Sequence, residues 1–283
     1  MGGPRSGNPS AAAKRLRDAS TDGVRALYDF HGRTGIVTGA GSGIGRATAL
    51  FLARSGATVL GVGRRSAPLE ETAASARDFD GKILPYSIDV TDEAKVRSMI
   101  IEAEKDIGPI SFQFNNAGIG GAHKTIVELS LAELDEIMNV SFRSVFIGMK
   151  YALPAMKRAG GGAVVNCGSL LSFKGAVRRG DYAMAKHAVM ALTKTAAGEH
   201  AKDNIQINCV CPGPIDTPLQ HQSEALVNPK DPTYERRRYE VGIPMGRYGT
   251  PEEVAEMVAF LLSGRVPYLT GAAIPLDGSF LAV

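Results

Sequence analysis

Cysteine is scarce in this chain: 283 residues hold three, Cys167, Cys209 and Cys211. Each lies in an apolar run that reads as a buried strand, "AVVNC" or "IQINCVC". A disulfide-stapled fold is therefore excluded, and the thiols are expected to be free, packed as small hydrophobes in a reducing compartment. Cys209 and Cys211 would project to one side of a strand, but two ligands do not make a zinc site. His123, His187, His200 and His221 are not at a metal-ligating spacing either, so no metal is expected. Long apolar runs are also missing. None approaches the roughly 18 to 20 residues of a membrane span, and no basic start, apolar core and cleavage site follow one another, so a cytoplasmic protein without a membrane span is expected. Net charge is small, +3, and residues 1–33 hold six Lys/Arg against three Asp/Glu, which leaves the remaining body formally neutral. That excludes a nucleic-acid surface spread over the fold.

What is present suffices for one large core, with 44% hydrophobic and 22% charged residues. Residues 1–30 begin "MGGPRSGNPSAAAKRLRDAS", poor in large aliphatic side chains, and are expected to form a mobile tail. Gly2 and Ser6 match a loose myristoylation pattern that Pro4 argues against, and Asp18 and Asp22 oppose a targeting segment. From about residue 35, apolar runs ("GIVT", "ATVLGV", "ILPYSI", "ISFQF") alternate with helical patterns, the signature of a parallel sheet with helices on both faces. A long helix near 131–157, the strand "AVVNC", a helix holding Tyr182, the strand "IQINCVC" and a late strand "AAIPLD" complete one domain over 31–283. "SLAE" at 130–133 and "TPEE" at 250–253 read as capping boxes. The polar stretch at about 218–245 has no clean period and reads as a lid or binding loop.

"GIVTGAGSGIGRATALFLARSG" is a strand, a glycine-rich turn and an amphipathic helix. Gly39, Gly43 and Gly45 let the backbone turn tightly and approach a pyrophosphate, which the free N–H groups of the next helix start would hold. This points to dinucleotide binding in a Rossmann-like, doubly wound α/β domain. At the end of the second strand, where an adenosine ribose would lie, a carboxylate is missing; Gly63, Arg64 and Arg65 stand there. A guanidinium can bind a 2′-phosphate with paired hydrogen bonds, so NADP(H) is expected ahead of NAD(H), with Arg65 readable equally as a solvated loop residue. Tyr182 and Lys186 sit one helical turn apart. Such a pair is often an ordinary surface contact. It is also a way to ionise a phenol, because a neighbouring cation favours the phenolate.

The order of motifs resembles the short-chain dehydrogenase/reductase family from about residue 30 to the C-terminus. TGxxxGIG matches at Thr38–Gly45, "NNAG" at Asn115–Gly118, YxxxK at Tyr182–Lys186 and PGxxxT at Pro212–Thr217, while Ser169 precedes Tyr182 by thirteen positions. The resemblance implies a ketone and secondary-alcohol oxidoreductase in which Tyr182 donates the proton, Ser169 holds the carbonyl oxygen, Lys186 lowers the tyrosine pKa and binds the nicotinamide ribose, and Asn139 anchors a water. It also implies cofactor contacts from Ser42 and Ile44 in the glycine turn, Asp89 and Val90 at the adenine, and Asn116, Ala117 and Gly118 beneath the adenosine. Pro212, Gly213, Ile215 and Thr217 would lie at the carboxamide end. For Asp89 alone, turn capping is the simpler reading. "ISFQF", "CGS" and "DGSF" depart from the family's usual residues. A homodimer or homotetramer through the long helices is implied as well. The residues between Ser169 and Tyr182 border the substrate cavity in this family. Here Leu170, Leu171 and Val177, with Leu219, Leu226 and Tyr234 of the lid, suggest a bulky hydrophobic carbonyl, such as a cyclic, terpenoid, steroid-like or polyketide ketone. Arg178 and Arg179 would either meet an acidic or phenolic group at the cavity mouth or be solvated.

Overall fold

Apolar residues alternate along the strands, and the alternation builds two cores. The computed structural model describes residues 28–283. Seven strands, β1 Thr34–Thr38, β2 Thr58–Gly63, β3 Lys82–Ser87, β4 Ile110–Asn115, β5 Gly162–Cys167, β6 Ile205–Pro212 and β7 Ala273–Leu276, form one parallel sheet in the order β3-β2-β1-β4-β5-β6-β7. Ile36, Leu60, Val164 and Ile207 point to one face and pack with Val96, Val145 and Val189. Their neighbours Val37, Val59, Val165 and Val210 point to the other and pack with Leu52, Val254 and Val258. The first face is covered by α3 Glu93–Asp106, α5 Ser144–Arg158 and α6 Gly180–His200, the second by α1 Gly43–Arg54 and α9 Pro251–Leu262. This is the doubly wound α/β architecture expected, with α2 Ser66–Ala74 between β2 and β3. Strand order reverses between β1 and β4, which opens a crevice at their carboxyl ends.

The aromatic "ISFQF" strand is accommodated by a glycine. Phe112 is fully buried, and a Cβ at Gly35 on the adjacent strand would fall inside its ring. Phe112 in turn packs edge-to-face on Phe30, at 5.7 Å between centroids. Phe30 is fully buried, so the boundary drawn at residue 30 for a mobile tail is corrected: packing includes Phe30. The myristoylation pattern and the rest of the tail lie outside the described residues.

Two other expectations change. The helix near 131–157 is α4 Leu131–Met138, a π turn at Asn139–Arg143 and then α5. The Ser144 hydroxyl donates to the Val140 carbonyl at 2.6 Å within that wider turn. The stretch 218–245 is not an irregular loop but two helices, α7 Pro218–Val227 and α8 Pro232–Gly242. Thr217 and Asp231 cap them by accepting from the Gln220 and Tyr234 amides, each with proline in the first turn. Their stripe is polar because it is fastened by ions and hydrogen bonds: Arg236 pairs with Asp216 and Glu240, and buried Glu224 accepts from the Tyr248 hydroxyl at 2.8 Å. Both expected capping boxes form, at Ser130/Glu133 and Thr250/Glu253. The three cysteines are free and buried. No helix among the described residues is long and apolar enough to cross a membrane.

Candidate active site

The β1–α1 turn builds the first half of the crevice. Gly39 adopts φ 70°, its amide donates to Val62 O, and a Cβ there would come within 2.7 Å of Asn116 Nδ2. The same crowding recurs one turn into α1, where a Cβ at Gly45 would overlap Gly39 O. Thr38 ties the turn to β4: its Oγ1 accepts from the Asn116 and Ala117 amides at 2.9 and 3.0 Å, and its carbonyl accepts from Asn116 Nδ2. Ser42 precedes α1 without a side-chain capping bond, and the first turn of that helix carries no acid. The helix start at Gly43, Ile44 and Gly45 thus keeps its positive end for a phosphate, a fit to the pyrophosphate of a dinucleotide.

A cavity of about 470 Å³ runs from this turn across the end of β2, lined by Gly39, Ser42, Gly63, Arg64, Arg65 and Asp89, with Val90, Ala117 and Gly118 beside them. Arg64 and Arg65 are exposed, and neither has an ion-pair partner among the described residues. Asp89 caps its turn and also faces the cavity. Its Oδ1 accepts from Thr91 N and Oγ1 at 2.9 and 2.8 Å, and it lines the cavity. The Thr91 amide bond above all, with the Arg64 charge adding, holds its pKa below the ordinary carboxylate value.

Gly118 and Ile119 also line a second cavity of about 470 Å³, and this one brings together Ser169, Tyr182 and Lys186. Ser169 starts a 3-10 turn, Leu170–Ser172, and its Oγ accepts from the Leu171 amide at 3.2 Å, leaving its proton to donate elsewhere. Ser172 Oγ accepts from Ser169 N and donates to the Lys186 carbonyl, which locks that turn to α6. Lys186 is only 5% exposed. Its Nζ donates to the Cys167 carbonyl at 2.7 Å and lies 5.5 Å from the Tyr182 ring centroid. Burial works against the ammonium, while Tyr182 and the three cysteines favour it, and the balance lies above lysine's ordinary pKa. Asn139 opens the π turn, and its Oδ1 is buried without a hydrogen-bond partner, a position suited to a bound water.

Pro212, Gly213, Ile215 and Thr217 form the wall at the end of β6, where a Cβ at Gly43 would stand 3.2 Å from Thr217 Cγ2. Leu170, Leu171, Val177 and Leu219 line the cavity as expected. Leu226 and Tyr234 do not: they are 63% and 51% exposed on α7 and α8. Arg178 turns away to the His123 carbonyl and Glu128, whereas Arg179 lines the cavity. The sequence reading missed Ser223, Tyr239 and Phe280 on the walls. His221 is half exposed and bonded to Asp216 at 2.6 Å, away from the lining.

The sequence profile of the family described as Enoyl-(Acyl carrier protein) reductase matches residues 39–280. Levodione reductase of Leifsonia aquatica is 36% identical over 251 residues, covering 88% of this chain and 94% of that protein. Cis-4-hydroxycyclohexanecarboxylate dehydrogenase of Sinomonas cyclohexanicum is 37% identical over 254 residues, 90% of this chain and 98% of that one. The crystal structure of levodione reductase superposes with a TM-score of 0.87 at 36% identity, over 90% of this chain and 99% of that chain.

Proposed function

The chain belongs to the short-chain dehydrogenase/reductase family and is an oxidoreductase of secondary alcohols and ketones, and from that premise we propose that it uses NADP(H) and reduces a bulky, largely hydrophobic cyclic carbonyl. The observation that carries the reading is the meeting of Ser169, Tyr182 and Lys186 in an apolar-walled cavity continuous with the dinucleotide cleft. A reduced nicotinamide bound in that cleft would supply hydride to the carbonyl carbon. Tyr182, whose hydroxyl has no bond to any described residue, then gives its proton to the carbonyl oxygen. Lys186, held charged, stabilises the phenolate left behind. Ser169 donates to the same oxygen with the proton that the Leu171 amide leaves free. Asn139 holds a water for reprotonation through Lys186, which its unpartnered Oδ1 supports.

Gly63 with Arg64 and Arg65 supports NADP(H), since no carboxylate stands there to repel a 2′-phosphate. A ring substrate is supported by the named substrate of the Sinomonas cyclohexanicum relative and by Leu170, Leu171, Val177 and Leu219 on the walls. The test is cofactor oxidation over matched cyclic ketones, short keto acids and small sugars, each with NADPH and NADH. Bulky ring ketones with NADPH should give the highest kcat/KM; preference for small sugars, or for NADH, would overturn the corresponding half of the reading. We further propose a cytoplasmic homo-oligomer, a dimer or tetramer, supported by exposed Leu131 and Phe146 on α4 and α5, for which light scattering at monomer mass would be the contrary result.

A further inference from the structure

The substrate cavity contains an arginine that forms no ion pair with any acid among the described residues. Arg179, the residue before α6, donates from Nη1 to His123 Nε2 at 2.8 Å and to Ser223 Oγ at 2.9 Å. Its guanidinium lies 4.8 Å from the centroid of the Tyr182 ring, and its Nε is buried with no hydrogen-bond partner. Other basic residues nearby are arranged differently. Arg178 faces Glu128 at 3.6 Å outside the cavity, and Arg238, on the cavity wall, is held by Glu235 at 2.8 Å. Asp181, two residues on, is engaged by the amides of Ala122 and Tyr182 at 2.8 and 2.7 Å and forms no ion pair with Arg179.

The two partners of Arg179 are neutral. An arginine only donates, so the His123 nitrogen facing it must be the unprotonated one. Burial first, and Arg179 second, push the His123 pKa down to about 4. The ring therefore brings no charge of either sign at neutral pH. Around the cavity stand Lys174, Arg179, Lys186 and Arg238, with no Asp or Glu among the described lining residues. A planar cation seated by neutral acceptors beside the proton donor, with part of its donor fork unpaired, is arranged to receive an anion.

We propose that Arg179, positioned by His123 and Ser223, anchors an anionic group of the substrate, so that the preferred substrates are ring ketones or ring alcohols bearing a carboxylate at the end away from the reacting carbon. The inference rests on the reading of the cavity as a site for cyclic carbonyls. It adds a charged anchor beside the apolar wall of Leu170, Leu171, Val177 and Leu219, and it separates the two arginines that the sequence places side by side.

The experiment uses 4-oxocyclohexanecarboxylate and its methyl ester, with NADPH, on wild type, Arg179→Gln and Arg179→Lys. Wild type should prefer the acid. In Arg179→Gln the acid should lose about tenfold to a hundredfold more kcat/KM than the ester, mainly through KM, as expected for a lost charge-assisted bond. Arg179→Lys should recover part of the preference. Independently of turnover, cyclohexanecarboxylate should raise the melting temperature of wild type in the presence of NADP⁺ more than that of Arg179→Gln. Equal losses for acid and ester would overturn the anchor and leave Arg179 as packing for Tyr182. Turnover of the ester with no preference for the acid would overturn the anchor and leave the ring-ketone reading standing. Failure with both ketones, together with no thermal shift, would overturn both.

Discussion

The two cavities are of comparable size, about 470 Å³ each, and are made of different material. The dinucleotide side is walled largely by the backbone of the turn at Gly39, the start of α1 and the ends of β2 and β4, with Arg64, Arg65 and Asp89 at one end. The substrate side is walled by side chains from separate parts of the chain, among them Leu170, Arg179, Leu219, Tyr239 and Phe280. Backbone walls suit what is common to a class of ligands, such as phosphate, and the tight turn at Gly39 and Gly45 leaves no room for a Cβ. Side-chain walls can be exchanged one residue at a time, so they carry the choice of substrate.

Tyr182 lines the substrate side, and its removal gives the largest expected effect. Tyr182→Phe deletes a hydroxyl that bonds to no described residue, so folding and NADPH binding should be retained while kcat falls about 10² to 10⁴-fold. Stopped-flow turnover set beside a calorimetric NADPH titration reads both. Near-normal turnover would remove Tyr182 from the chemistry. Parallel loss of cofactor binding would show that the two sides are not separable.

The next effect belongs to the backbone-walled side. A Cβ at Gly63 would meet only the Leu69 side chain, at 3.6 Å, so aspartate fits there without strain. Gly63→Asp with Arg64→Ser should move the ratio of kcat/KM for NADPH over NADH by roughly tenfold to a hundredfold towards NADH, since a charge-assisted contact is exchanged for a repulsion. The ranking of carbonyl substrates should not change. A changed ranking would break the division between the two sides.

This division also explains what could be read from the sequence. Gly39, Gly43 and Gly45 sit between a strand and a helix, and Tyr182 and Lys186 lie one turn apart, so local spacing alone brought them near their observed places. Asn139 and Ser169 came from the order of family motifs, because neither a π turn nor a 3-10 turn has a local signature. The helices α7 and α8 were missed although Thr217-Pro218 and Asp231-Pro232 both carry a cap followed by proline. Their polar stripes show no hydrophobic period, since ion pairs such as Arg236 with Asp216 fasten them. Without a period, the inward face is undetermined, which is why Leu226 and Tyr234 were expected in the cavity and are exposed. Phe280 arrives from the far end of the chain, and nothing near it in sequence points to Ser169 or Tyr182.

A smaller effect tests the apolar wall on the substrate side. Leu219→Ala shortens a side chain that lines the substrate cavity and belongs to α7, which Glu224 fastens to Tyr248 away from the cavity. KM for a bulky ring ketone should rise about threefold to tenfold, in line with losing a few methylenes of contact. The NADPH dissociation constant should stay within error. A shift in NADPH affinity as large as that in KM would mean that the lid clamps the cofactor as well as the substrate.

The smallest effect concerns the neutral His123 beside Arg179. Its pKa in the folded protein is about 4, against an ordinary 6.5, so between those values the unfolded chain holds the proton and the folded chain does not. The contribution to stability is therefore complete above pH 6.5, is lost as pH falls towards 4, and changes no further below that. Screening around a half-buried side chain leaves on the order of 1 kcal/mol, a melting-temperature change of roughly 2 to 4 °C. His123→Asn is the variant of choice because His123 has φ 56°, a left-handed conformation that asparagine also adopts. Other groups titrate in the same range, so the quantity to compare is the fall in Tm from pH 7.5 to 4.5 in wild type against the fall in His123→Asn. The variant should lose a few degrees less. An equal fall in both would mean that His123 takes up its proton without leaving Arg179, and that the substrate side is more plastic than its packing suggests.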